Sequence, residues 1–180
     1  MIYAYLTAIA ALSVILLFVI IPRIIRTSKK KAPFVRTRNG AVPEILKLLQ
    51  LNDGSVLYDL GCGDGRILRA AVASTKGLTG VGIENDWLPI IFSHFRPKLA
   101  GTEIIKGDIF KTPLDKATHI YCYLFPQVMI NLEPVVLAKC RPGTRIVSCD
   151  FPFPNLTPVQ TVTLPGNRYM LARTLYLYVL

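Results

Sequence analysis

The apolar positions of this 180-residue chain change their spacing twice. Residues 2–21, IYAYLTAIAALSVILLFVII, form one apolar run without a charge, a glycine or a proline. Wound as a helix, such a run rises about 30 Å, the thickness of a bilayer's hydrocarbon core. A buried core helix would carry a polar stripe, and here only Thr7 and Ser13 interrupt the run. A cleaved signal peptide would place basic residues ahead of the apolar stretch and a small-residue cleavage site after it. This run has neither, and Pro22-Arg23 follow it. The pattern predicts a retained transmembrane anchor over residues 1–22.

From about residue 40 helix-like and strand-like segments alternate. VPEILKLLQL (42–51) has helical spacing and ends in the turn NDGS, and SVLYDL (55–60) reads as a short, doubly covered strand. RILRAAVAST (66–75) predicts a helix, LTGVGIE (78–84) a strand, and WLPIIFSHFRPKL (87–99) a helix that Pro97 ends or bends. EIIKGD (103–108) and HIYCYLF (119–125) are the next strands. VMINLEPVVLAKC (128–140) is a helix with a proline interruption, and TRIVSCD (144–150) a fifth strand. The spacing changes again at the end: PVQTVTL (158–164) and RYMLARTLYLYVL (168–180) predict a terminal hairpin. Strands alternating with helices imply an α/β fold, a doubly wound, Rossmann-like, mostly parallel sheet closed by an antiparallel hairpin. Ligands of such folds sit beyond the carboxyl ends of the strands.

Charge changes the picture at one place. Residues 1–43 hold seven Lys or Arg and no acid, while the remainder has 14 basic against 11 acidic residues. Most of the net charge of +10 is therefore a cluster next to the apolar run, not a nucleic-acid-binding face. Such a cluster favours the cytoplasmic side of a membrane. The expected organisation is an anchor over 1–22, a basic juxtamembrane linker and lead-in loop over 23–40, and a folded domain over 41–180. Cys62, Cys122, Cys140 and Cys149 form no CxxC pair, and His94 and His119 lie far apart, so no metal site is expected.

Candidate chemistry gathers at the strand ends. DLGCGDG (59–65) lies where the first strand turns into a helix. Glycines there allow positive φ and let a ligand touch backbone, and the next helix presents unpaired N–H groups to the same space. Acidic residues follow successive strands: Asp59, Glu84 and Asp108. Glu84 lies 23 residues beyond Gly61, close to the separation at which an acid meets ribose hydroxyls in nucleotide-binding βαβ units. Three carboxylates in one crevice repel a pyrophosphate and suit a ligand bearing ribose, adenine and a positive charge. The spacing of Gly61, Gly63 and Gly65, with Arg66 next, also departs from the dinucleotide fingerprint G-x-G-x-x-G. S-adenosylmethionine (AdoMet) fits better than NAD, and a purely structural turn is the remaining alternative.

DLGCGDGR, GVGIE and KGDIF resemble the AdoMet-binding motifs of class I methyltransferases. PFVRT (33–37), GDGRIL, ENDWL, GDIFK, LFPQVMINLEP and DFPFPNLTP resemble, in order, the blocks of one small family. These are the membrane-associated protein-lysine methyltransferases, which include broad-specificity archaeal enzymes and mitochondrial ones acting on the ATP synthase c-ring protein and the adenine nucleotide translocase. The resemblance implies that Asp59, Gly61, Gly63 and Asp64 hold the methionine part of AdoMet. It implies that Glu84, with Asn85 beside it, takes the ribose, that Asp108 and Ile109 take the adenine, and that Phe34 and Thr37 of the lead-in loop join the cofactor site. Leu124-Phe125-Pro126 would line the methyl-transfer site. Phe34 stands where the family has Tyr, and Arg36 where it has Pro.

A lysine acceptor must lose its proton, at a cost of roughly 4–5 kcal/mol at pH 7 from a reference pKa near 10.4. Asp150 is the candidate for orienting or deprotonating that amine, or else caps the turn before Pro152. Tyr123, Phe125 and Phe151 form an aromatic wall around the ammonium, or are core. The expectation is a membrane-anchored protein-lysine methyltransferase whose substrate is itself membrane-associated, with no nucleic-acid partner. Small-molecule or lipid methylation, and a non-catalytic AdoMet-binding membrane adaptor, are the alternatives.

Overall fold

A computed structural model describes residues 2–16, 18, 35–94, 100–166 and 171–180. The chain divides into two units, Met1–Val35 and Arg36–Leu180. In the first, α1 (Ile2–Ile15) is a helix of 14 residues whose described side chains are exposed. It rises about 21 Å. Among the described residues no helix is long and apolar enough to cross a membrane. Residues 17 and 19–34, Phe34 included, lie outside the described residues, as does Pro97.

The second unit opens with a 3-10 turn (Asn39–Ala41) and α2 (Val42–Leu49), which carries a proline in its first turn and ends on Gln50 in the left-handed region. Then follow β1 (Val56–Leu60), α3 (Arg66–Ser74), β2 (Thr79–Glu84), α4 (Trp87–His94) and β3 (Thr102–Lys106). After these come β4 (His119–Cys122), α5 (Pro126–Lys139), β5 (Arg145–Cys149), β6 (Gln160–Thr163) and β7 (Thr174–Val179). The sheet order is β3-β2-β1-β4-β5-β7-β6. β1 to β5 run parallel, whereas β7 pairs antiparallel with β5 and with β6. The chain thus winds outward from β1 in one direction and from β4 in the other, which opens a crevice at the carboxyl ends of β1 and β4.

Strand residues alternate between two cores, because successive side chains leave opposite faces. Leu57, Tyr121 and Val147 pack with Ile45 and Leu49 of α2 and Leu68 and Ala71 of α3. Leu60, Ile83, Ile120 and Ile146 pack with Met129, Leu132 and Val136 of α5. Both faces of the central strands are covered, as the short apolar runs imply.

Three elements differ from expectation. β4 stops at Cys122, three residues early, because Phe125 takes an extended conformation as the N-cap of α5 and Pro126 starts the helix. Pro134 does not interrupt α5. Pro134 and Ile130, whose carbonyl loses its helical partner to the proline, are both exposed, so the carbonyl lies on the solvent side of the helix. β7 begins at Thr174, after a turn in which Ala172 is left-handed, rather than at residue 168.

Candidate active site

The glycine-rich turn is shaped by conformations that a side chain would oppose. Gly61 has φ +79°, and a Cβ there would lie 2.8 Å from Leu124 Cδ2; Gly65 has φ +70° and would meet Ile104 Cδ1 at 2.7 Å. The turn is tied to β2, since Ile83 O accepts from Gly61 N at 2.8 Å and from Cys62 N at 3.1 Å. One Glu84 carboxylate oxygen accepts from Gly63 N at 2.9 Å and the other from Asp86 N at 2.8 Å. Gly107 N donates to Glu84 O at 2.9 Å, which sets Asp108 beside this acid. Asp108 Oδ1 in turn accepts from Phe110 N at 3.0 Å.

Asp59 and Asp64 are both buried. Burial, and then the charges of Glu84 and Asp64, hold the Asp59 carboxyl well above the ordinary carboxylate range. Asp59 is thus a buried acid among other acids, with burial and charge both acting against its ionised form. A cationic ligand bearing a ribose diol fits this donor set, because it relieves the mutual repulsion that the fold alone leaves in place.

The predicted cofactor residues fall into three groups. Asp59, Gly61, Gly63, Asp64, Glu84 and Asp108 come together along the carboxyl ends of β1, β2 and β3, with Leu124 packed on Gly61. Ile109 is half-buried against the α5-side core, and Asn85 is exposed. Thr37 is buried with its hydroxyl 2.9 Å from Tyr121 Oη, so it is engaged with β4.

The other half of the crest is aromatic. The Phe125 and Phe151 rings lie 5.8 Å apart, and those of Tyr123 and Phe151 6.4 Å apart. Asp150 adopts φ +59° and accepts four hydrogen bonds: from Tyr123 Oη at 2.6 Å, Ala172 N at 2.7 Å, Arg173 N at 2.7 Å and Thr174 N at 3.0 Å. Burial pushes its carboxyl up, but the bonds from Tyr123, Thr174, Arg173 and Ala172 outweigh it and hold the group below its ordinary value. Four donors fill the lone pairs of a carboxylate. Asp150 thus pins the return into β7, and neither a substrate amine nor the turn before Pro152 is needed to explain its place. Tyr123 is held as the neutral phenol, its pKa raised by burial and by Asp150.

Long-range partners supplied what the sequence did not signal. Arg36 forms an ion pair with Asp64. Arg66 Nη1 donates to Thr37 O at 3.1 Å, and Arg38 donates to Ala172 O at 3.1 Å and to Pro165 O at 2.9 Å. The lead-in segment is thereby fastened to the glycine turn on one side and to the terminal hairpin on the other. Acid-base complementarity between Arg36 and Asp64 was visible as composition only; no spacing rule joins residues 28 positions apart.

Residues 59–160 match the ANTKMT methyltransferase domain. The chain belongs to this family. Over 158 residues it is 30% identical to a protein-lysine N-methyltransferase of Saccharolobus islandicus, spanning 82% of this chain and 93% of that one. It is 34% identical over 131 residues to the human lysine N-methyltransferase named for the c-ring protein of ATP synthase, spanning 70% of this chain but 54% of the human protein. The chain thus covers only about half of that relative. Among solved structures, an RNA methyltransferase from Salinibacter ruber in complex with S-adenosyl-L-homocysteine superimposes with a TM-score of 0.74 at 34% identity, covering 81% of this chain and 93% of that one. This methyltransferase therefore shares its seven-stranded fold with an enzyme of known structure.

Proposed function

We propose that this methyltransferase uses AdoMet to methylate the ε-amine of lysine in proteins. The observation that carries the reading is the convergence of Asp59, Asp64 and Glu84 around a glycine turn, in a chain whose family relatives are lysine methyltransferases. Asp59, Gly61, Gly63 and Asp64 would hold the methionine part, Glu84 the ribose hydroxyls, and Asp108 with Ile109 the adenine. AdoMet supplies a methyl group on a sulfonium, already activated for in-line displacement. The acceptor amine would give up a proton to solvent and take the methyl as the thioether left.

The protein's part is to position and desolvate. Leu124, Phe125 and Phe151 form the wall past β4, where burial lowers the pKa of an approaching amine and so the cost of its deprotonation. Asp150 acts through Tyr123: by fixing the phenol and the start of β7 it sets the aromatic wall, a positioning role. In this reading residues 1–22 are a membrane anchor, 23–40 a linker, and 41–180 the catalytic domain on the cytoplasmic side, acting on membrane-associated proteins. The apolar run and its basic flank support that arrangement.

The test is transfer from methyl-labelled AdoMet in membranes containing the full chain. Label in protease-sensitive, acid-insoluble material, with methyl-lysine in its hydrolysate, supports the proposal. Label in the organic phase would mean a lipid acceptor, and label in RNA an acceptor of the kind named for the Salinibacter relative. Binding without transfer would mean an adaptor.

A further inference from the structure

Arg36 stands where the resembling family has proline, and the structure gives it a position. Its guanidinium is paired with Asp64, on the turn that leads into α3. The two partners are unequal: 46% of the Arg36 side chain is exposed against 10% of Asp64. Asp64 also has a second, more buried arginine, Arg69, whose Nη2 lies 3.9 Å from Asp64 Oδ2 and whose Nη1 donates to Asp64 O. Neutralising Asp64 therefore does not depend on Arg36. Meanwhile the two residues that follow Arg36 are held, Thr37 through its carbonyl on Arg66 and Arg38 through its guanidinium on the hairpin carbonyls. A fixed backbone delivers a half-exposed guanidinium to the rim of the glycine turn.

The amino-acid end of AdoMet is a zwitterion. Asp59 and Asp64 suit its ammonium and sulfonium, but by the same charge they repel its α-carboxylate. A guanidinium matches a carboxylate as a planar fork with two parallel N–H donors. Resting on the proposed AdoMet reading, we propose that Arg36 binds the α-carboxylate of AdoMet, and that its pair with Asp64 holds the fork at the rim before the cofactor arrives. Arg36 is then a cofactor-binding residue.

The test is calorimetric titration of the full chain with AdoMet and with decarboxylated AdoMet, which keeps the sulfonium, the ammonium and the nucleoside. The wild-type chain is expected to prefer AdoMet by roughly 10- to 100-fold, the range of a charge-assisted pair. Arg36→Gln is expected to abolish that preference while binding decarboxylated AdoMet as the wild type does; Arg36→Lys restores part of it. A preference that survives Arg36→Gln, or a wild-type chain without one, overturns the inference and leaves the cofactor reading standing. A wild-type chain that binds neither compound overturns both. Should Arg36→Gln fail to fold, the Arg36→Lys variant decides: an undiminished preference there counts against the fork.

Discussion

Two aspartates end neighbouring regions of the same sheet and have opposite fates. Asp59 lies at the carboxyl end of β1, one residue before its last, among other acids, and burial with their charges drives its carboxyl upward. Asp150 follows β5, and the hydrogen bonds of Tyr123 and three backbone N–H groups hold its carboxyl low despite burial. The fold answers every demand of Asp150 from within and leaves those of Asp59 unanswered. A carboxylate that its own chain satisfies is holding structure together. One that its chain frustrates is held ready for something from outside. On the function proposed above, the β1–β3 half of the crest would be the cofactor side, and the β4–β5–β7 half a wall that would shape the acceptor side.

Substitutions at these residues break the contrast in graded ways. Asp150→Ala is expected to have the largest effect on the fold, since it removes at once the acceptor shared by three N–H groups and a phenol. A loss of about 3–5 kcal/mol is expected, lowering Tm by roughly 6–20 °C in thermal unfolding at pH 7. Glu84→Ala should cost the cofactor side about 10- to 100-fold in AdoMet affinity by calorimetry, with a smaller loss of stability from the freed Gly63 and Asp86 N–H groups.

Asp59→Asn separates stability from function. It removes a buried charge that the neighbouring acids oppose, so Tm at pH 7 should rise, while AdoMet binding falls. Because the folded-state pKa of Asp59 is raised, its cost develops as pH climbs from the ordinary value near 4 through the folded value. The gain from Asp59→Asn should therefore vanish below about pH 4. Asp150 behaves inversely. Its stabilisation is present above the ordinary value and is lost as pH falls through the lowered folded one, so Asp150→Asn should flatten the acid limb of the stability curve. Tyr123→Phe is the mildest change, about 1 kcal/mol of stability, with a few-fold fall in kcat and an unchanged KM for AdoMet.

The same contrast explains what the sequence disclosed. The cofactor side is written in contiguous pieces: DLGCGDG, the acid after GVGI and the acid after IIKG each sit at a strand end that the apolar pattern already marks. The wall side is written across distance. Tyr123 meets Ala172 and Asp150 meets Thr174 over separations of 49 and 24 residues. The left-handed conformations of Asp150 and Ala172 carry no glycine to announce them. Arg36 was legible as a departure from a family pattern, but its partner Asp64 was not. Local periodicity also overextended β4, because the apolar Tyr123-Leu124-Phe125 continues its pattern while Pro126 starts a helix.

The most direct test is titration calorimetry of the full wild-type chain with S-adenosylhomocysteine, run beside Glu84→Ala and Asp150→Asn. The prediction is saturable binding by the wild type, close to wild-type affinity in Asp150→Asn, and a loss of at least about tenfold in Glu84→Ala. Equal affinity in all three proteins, or no binding by the wild type, would contradict the division of the crest.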